Sequence, residues 1–314
     1  MSVVENSKLC VVGAGSVGSS LAYAALIRGS ASQVALYDIA SAKVEAEVLD
    51  LAHGTQFTEA RVSGGDDLAV VEGSHVVVIT AGAKQEPGQT RLELASTNAR
   101  ILESLLPNLL ERAPDAIYVL VTNPVDVLTV VAQRISGLPP QRIFGSGTVL
   151  DTSRLRWLLA RRAGVTTANV HADIVGEHGD TEFPLWSSAR IGPVPILDWR
   201  SGEPFKASEL DGIAREVRDA AYTVIRGKGA TNYAIGLAGA RIVEAVMNDE
   251  HAVMPVSTVQ RGIRGIDGVA LSVPSVVSGS GAVPVAETPF SDDEVRLLQT
   301  SAAAIRASVD SLGV

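Results

Sequence analysis

The chain has 314 residues, 46% hydrophobic and 19% charged, which is long and apolar enough for a large core and two domain-sized units. Its formal charge of -9, with no run of Lys and Arg to track a phosphate backbone, argues against nucleic acid as a partner. Cys10 is the single cysteine, which excludes an intrachain disulfide or a cysteine metal cluster; with no signal-like start and no bilayer-length apolar run, a cytoplasmic protein without a membrane partner is expected.

Lys8 to Val12 reads as a short buried strand, Gly13 to Gly18 as a tight turn, and Ser19 to Arg28 as a helix. A second strand over Gln33 to Tyr37 ends at Asp38, and a helix is predicted over Lys43 to His53. After a mixed segment containing Gly64 and Gly65 comes the strand-like run His75 to Thr80. Lys84 to Thr90 carries Pro87 and Gly88 and reads as a loop, followed by a helix over Arg91 to Leu110. The strand Ile117 to Val121 delivers Thr122, Asn123 and Pro124 to the same sheet edge. A helix over Pro124 to Ser136 and a short strand over Arg142 to Phe144 lead to the turn at Gly145 to Gly147, where a domain transition is expected. The second half predicts helices over Asp151 to Ala163, Leu210 to Arg226, Ala234 to Asn248 and Asp292 to Leu312. Strands are predicted over Ala252 to Val259 and Gly268 to Pro274.

The segment Gly13-Ala14-Gly15-Ser16-Val17-Gly18 fits GxGxxG in a strand, turn and helix context. Gly13 permits the tight turn, Gly15 lets backbone approach a pyrophosphate, and Gly18 permits close helix packing. Alone, the match is also compatible with an ordinary glycine-rich turn. Asp38, twenty positions after Gly18 and at the end of a second strand, makes dinucleotide binding the better reading. Its carboxylate can accept ribose hydroxyls and would repel a ribose phosphate, which favours NAD over NADP. The expected fold is therefore α/β, a Rossmann-type doubly wound parallel sheet over residues 1–145, with a C-terminal α+β substrate domain over 146–314.

Further segments occur in a fixed order: Thr80-Ala81-Gly82-Ala83, Pro87 to Arg91, Val121-Thr122-Asn123-Pro124, Gly147 to Arg154, and Gly176-Glu177-His178-Gly179-Asp180. With the glycine-rich turn, they make the chain resemble the lactate and malate dehydrogenase family over nearly its whole length. The resemblance implies that His178 donates and accepts the proton, a task suited to a group whose reference pKa is about 6.5. It likewise implies that Asp151 orients His178, Arg154 binds the substrate carboxylate, and Arg91 arrives on a mobile loop to polarise the carbonyl. Thr80, Ala81, Gly82, Val17, Asn123 and Ile235 fall at positions lining the cofactor, with part of 231–250 returning to the nicotinamide site, and Asn123 and Thr231 at substrate positions. By residue type alone, Asp151 reads equally as a helix N-cap, Arg154 as a solvated helix residue, and Ile235 as core. No metal is expected, because hydride comes from the cofactor and the proton from His178; His171 and His178 by proximity make only a weak metal pair. His53 and His75 receive no role.

Gln85 stands where lactate-specific relatives carry Gln and malate-specific relatives carry Arg. A second substrate carboxylate needs a cationic partner in a partly dry pocket whereas a methyl group needs none, so pyruvate and L-lactate are the expected substrate pair. The adjacent Lys84 keeps malate open as an alternative. Arg156 and His171 coincide with the positions that bind fructose 1,6-bisphosphate in allosteric bacterial lactate dehydrogenases. This implies an effector held between subunits, and a homotetramer.

Overall fold

The computed structural model describes residues 4–84, 88 and 90–313. The first half alternates strand and helix: β1 Lys8–Val12, α1 Ser16–Arg28, β2 Gln33–Tyr37, α2 Ser41–His53, β3 Arg61–Gly65, β4 Val76–Ile79, α3 Arg91–Arg112, β5 Ile117–Leu120, α4 Val125–Ser136 and β6 Ile143–Gly145. These strands form a parallel array ordered β3-β2-β1-β4-β5-β6. Successive strand residues point to opposite faces. Leu9, Val11, Val76 and Val78 accordingly enter one core with Leu21, Ala25 and Ile242. Cys10, Val12, Val77 and Ile79 enter the other with Leu102, Leu106 and Leu128. Burial on both faces explains the unbroken apolar runs of β4 and β5.

The second half contains α5 Val149–Ala163, the short strands β7 Val170–His171, β8 Ile174–Val175, β9 Phe183–Pro184, β10 Arg190–Ile191 and β11 Val194–Pro195, and then α6 Ala207–Lys228, α7 Tyr233–Met247, β12 Ala252–Ile263, β13 Ile266–Ser278, β14 Gly281–Pro284 and α8 Asp292–Leu312. The architecture is the expected one, a Rossmann-type parallel sheet with an α+β second half.

Three features differ from the sequence expectation. The Gly64-Gly65 segment is a strand, β3, paired in parallel with β2. A Cβ at Gly64 would lie 2.4 Å from Leu36 O and 2.5 Å from Val48 Cγ2, so glycine here admits close packing of α2 on the sheet. The strands β12 and β13 are far longer than expected, running through the 262–268 glycines with register shifts beyond Val259. With β14, which pairs with β13, they also extend the parallel sheet to nine strands among the described residues, through the single pairing of Ser257 with Gly145. Among the described residues, no helix is long and apolar enough to cross a membrane.

Candidate active site

The strand order reverses between β1 and β4, so their C-terminal ends form the switch point at which open α/β sheets bind ligands. Gly13 adopts φ 107 and Gly13 N donates to Tyr37 O at 2.7 Å. A Cβ at Gly18 would fall 1.8 Å from Gly13 O, so α1 can leave the turn this closely only as glycine. Thr80 Oγ1 donates to Gly13 O at 2.9 Å, and Ala81 N to Val12 O at 2.9 Å, which fastens the strand β4 edge to the turn. At Gly82 a Cβ would meet Thr122 Cγ2 at 2.4 Å.

The turn fits a dinucleotide on its own terms. Helix α1 begins at Ser16 behind the N-cap Gly15, with no side chain capping its first N–H groups, which leaves donors and the positive end of the helix for a pyrophosphate. A Cβ at Gly15 would meet only Lys43 Nζ, at 4.0 Å, so the backbone is open and a cation overlooks it. Asp38 Oδ2 accepts from Ala14 N at 2.7 Å and Oδ1 from Ala40 N at 3.0 Å, fixing the carboxylate while further lone pairs remain for ribose hydroxyls.

Val17 and Ile235 pack on one apolar cluster, because α7 lies directly on α1. Gly236 and Gly239 permit that approach, since a Cβ at either would run into Ser20 or Leu21. Asn232 Nδ2 donates to Ser20 Oγ at 2.8 Å, which ties the chain next to the half-buried Thr231 to α1. Asn98, buried in α3, donates to Asn123 O at 2.7 Å and accepts from Ala83 N at 2.7 Å. It thereby ties the loops after β4 and β5 together on the side where α3 presents Arg91. Gln85 lies outside the described residues.

Twenty-seven residues apart in the chain, Asp151 and His178 meet with His178 Nδ1 at 2.6 Å from Asp151 Oδ2. Asp151 sits in the first turn of α5, only 2% exposed, rather than at its cap. Its other oxygen, Oδ1, accepts from Arg154 Nη1 at 2.6 Å. A carboxylate is acceptor only, so Nδ1 carries the proton of this bond and Nε2 is the ring nitrogen free to exchange one. The backbone around them is fixed by Thr148 N on Ser272 Oγ at 3.1 Å, Ile174 N on Thr152 Oγ1 at 2.8 Å, and reciprocal 2.9 Å bonds between Gly176 and Ser272.

Burial works against the imidazolium, but the charge and hydrogen bond of Asp151, with Glu182 and Asp126, outweigh it and raise His178 to about 9. Burial likewise opposes the Asp151 carboxylate, yet His178 and Arg154 hold its pKa below the ordinary value. Arg91 Nη1 lies 3.2 Å from Asp180 Oδ2 and 3.7 Å from Glu177 Oε1, on the loop that carries His178. A Cβ at Gly179 would come within 2.8 Å of Arg91 Nη1, so glycine leaves room for the guanidinium. The positive helix end beneath Arg91 is offset by Glu93, which with Thr90 forms a capping box.

Two carboxyl groups absent from the sequence expectation belong to this site. Buried Asp126, in the first turn of α4, accepts from His178 N at 2.7 Å and from Ser257 Oγ at 2.6 Å; its position after Asn123-Pro124 is the one signal that could have marked it. Glu182 brings an oxygen into a group with Asp151 and His178 whose donor atoms all lie within 4.8 Å of one another. This set does not suit a metal, because Asp151 already spends both oxygens on His178 and the guanidinium of Arg154. Arg156 and the exposed His171 lie apart from it: Arg156 Nε donates to Ala172 O at 2.9 Å and Nη2 pairs with Asp173 Oδ1 at 2.7 Å, beside His171 on β7.

Residues 7–145 match the family described as lactate/malate dehydrogenase, NAD binding domain, and residues 148–312 its alpha/beta C-terminal domain. The chain is 49% identical to an L-lactate dehydrogenase of Bifidobacterium animalis subsp. lactis, covering 99% of each protein. It is 45% identical to an L-lactate dehydrogenase of Kosmotoga olearia, over 97% of this chain and 96% of that one. Among solved structures it superposes with a TM-score of 0.93 on a lactate dehydrogenase from a Medee basin deep-sea metagenome library, at 38% identity over 99% of this chain and all of that one. The minor L-lactate dehydrogenase of Enterococcus mundtii gives a TM-score of 0.93 at 37% identity, over 98% of both chains. A glycine-rich turn suited to a dinucleotide and a His-Asp pair that shares its carboxylate with an arginine are thus accompanied by likeness along the whole chain, which belongs to the lactate/malate dehydrogenase family.

Proposed function

We propose that this chain is an NAD-dependent L-lactate dehydrogenase interconverting pyruvate and L-lactate. The observation that carries the reading is the 2.6 Å contact of His178 Nδ1 with Asp151 Oδ2, with Arg154 on the same carboxylate, in a chain whose close relatives are L-lactate dehydrogenases.

When bound along Gly13, Gly15, Gly18 and Asp38, NADH supplies the hydride that reduces the carbonyl carbon. Arg154 binds the substrate carboxylate with the guanidinium arm that Asp151 leaves free. His178 donates its Nε2 proton to the carbonyl oxygen, and Asp151 stabilises the imidazolium beforehand and holds the ring in place. Arg91 polarises the same oxygen from the head of α3, and exclusion of water strengthens that effect. In lactate oxidation the neutral imidazole removes the hydroxyl proton. Thr80, Ala81, Gly82, Asn123, Val17 and Ile235 line the cofactor, and Thr231 and Gln85 shape the substrate methyl pocket.

A matched NADH-oxidation assay with pyruvate and oxaloacetate tests the assignment. Preference for pyruvate, with Gln85→Arg shifting the ratio toward oxaloacetate, is expected; preference of the unmodified enzyme for oxaloacetate would overturn it.

The finer proposals are a division into units at 1–145 and 146–314, a cytoplasmic homotetramer, and activation by fructose 1,6-bisphosphate at Arg156 and His171. Basic groups of this kind, brought together from different subunits, repel until a polyphosphate neutralises them, and here the anion must compete with Asp173 for Arg156. The effector reading fails if the bisphosphate lowers neither the pyruvate KM nor raises the rate from slightly acidic to neutral pH.

A further inference from the structure

One ionisable group of the site is left idle by the mechanism above. Glu182 follows the 177–181 loop into β9 and is only 4% exposed. Its Oε1 finds no hydrogen-bond partner among the described residues. Arg218 of α6 comes up beside it, but spends Nη2 on the Glu182 carbonyl oxygen at 3.0 Å, and Arg218 Nε is itself without a hydrogen-bond partner. A purely structural glutamate would be expected to satisfy its carboxyl oxygens, because an orphaned buried polar group weakens a fold. Instead one donor atom from each of Glu182, Asp151 and His178 lies within 4.8 Å of the others. The charged groups facing this cluster are Arg154 on α5, Asp126 on α4, Arg91 at the head of α3, Glu177 and Asp180 on the loop, and Arg218 on α6. At such range, and with Glu182 and Asp151 themselves buried, a charge on Glu182 acts on the imidazole more strongly than it would in bulk solvent.

We propose that Glu182 is a positioning residue for proton transfer: as its carboxyl group ionises with rising pH, it adds a second negative charge beside Asp151 and keeps His178 in its imidazolium form. This deepens the lactate dehydrogenase reading and rests on it for the direction of the proton. Burial and the Asp151 carboxylate push the Glu182 carboxyl up to about 8, against the pull of His178, Arg218 and Arg154. The same contact acts in return on His178, which Asp151 and Glu182 together raise, so the two groups exchange protons as a coupled pair. In alkaline solution Glu182 becomes the anion that retains the His178 proton.

The test titrates His178 by NMR in the substrate-free full-length protein with isotope-labelled histidine, using His178→Asn to identify its signal among the five histidines. Glu182→Gln is expected to lower the midpoint by about one pH unit. The alkaline limb of kcat/KM for pyruvate reduction should move to lower pH with it. Glu182→Met, of similar length and needing no hydrogen bond, is expected to lower the midpoint equally and raise Tm, since it removes an orphaned buried group. An unchanged or raised midpoint in both variants would overturn the proposal, as would a fall in Tm with no shift, which is the signature of a structural role. If the wild type reduced no pyruvate, the lactate dehydrogenase reading would fail, while the Glu182–His178 coupling would still be decided by the titration.

Discussion

Asp126 Oδ2 accepts the backbone N–H of His178 at 2.7 Å, so a carboxylate at the start of α4 sets the position of a residue fifty-two places along the chain. Its other oxygen accepts from Ser257 Oγ on β12, which joins the loop of His178 to the extended sheet. Asp126→Ala would leave two buried donors unpaired, at a cost of about 1–3 kcal/mol each. Lower Tm and a kcat for pyruvate reduction reduced about tenfold or more are expected, on the scale of a misplaced catalytic group. Thermal melts and steady-state kinetics decide it; a wild-type kcat in the variant would show that this bond does not position His178.

His178 is raised from its ordinary 6.5 to about 9, so the donor form is fully present below the ordinary value and is lost as pH rises through about 9. Pyruvate reduction should hold its kcat/KM through neutral pH and decline in the alkaline range, while lactate oxidation climbs over the same interval. Asp151→Asn removes the carboxylate charge that sustains the shift. The reduction limb should then retreat by about two units, and kcat should drop about 10²- to 10⁴-fold. A variant with the parental pH profile would refute the assignment of Asp151.

Arg154 holds Asp151 through Nη1 alone, leaving the rest of its planar fork for an anion. Lysine is a point charge that cannot serve both partners in fixed geometry. Arg154→Lys should raise the pyruvate KM about 10- to 100-fold, equivalent to about 1.4–2.8 kcal/mol, with little change in NADH affinity measured by fluorescence. Equal losses for both ligands would point to disruption of α5 instead.

Asp38 is held by the Ala14 and Ala40 N–H groups. With Asp38→Ser, the NADH KM should increase about tenfold, the scale of a lost charge-assisted hydrogen bond. NADPH, no longer repelled, should lose less or gain, and an unaltered NADH-to-NADPH preference would count against the ribose contact.

Gly179 leaves the space that Arg91 occupies above the His178 loop. Gly179→Ala should displace the guanidinium and reduce kcat about tenfold or more while NADH binding persists, in line with the loss of one electrostatic contact at the reacting oxygen. Single-turnover measurements separate that effect from product release.

What could be read directly in the chain was local. The turn at Gly13 to Gly18 is encoded by where a side chain cannot fit, and a φ of 107 at Gly13 or a 1.8 Å clash at Gly18 leaves little choice of residue. Buried parallel strands announce themselves as apolar runs such as Val76–Ile79. By contrast, β3 has the sequence RVSGG, with low strand preference, and becomes a strand because β2 offers it an edge and α2 needs glycine against it.

The sequence by itself determined the Rossmann-type half with its glycine-rich turn, and singled out Asp38 and, through the resemblance, His178, Asp151, Arg154 and Arg91 as candidates. Tertiary structure alone decided that β12 and β13 continue the parallel sheet, that Asn98 bridges the loops ending in Ala83 and Asn123, and that Asp126 and Glu182 crowd His178. The physical reason is that backbone geometry is a property of neighbouring residues. The charge state and hydrogen-bond duty of a carboxyl group depend on which distant side chains and how little water surround it once the chain has folded.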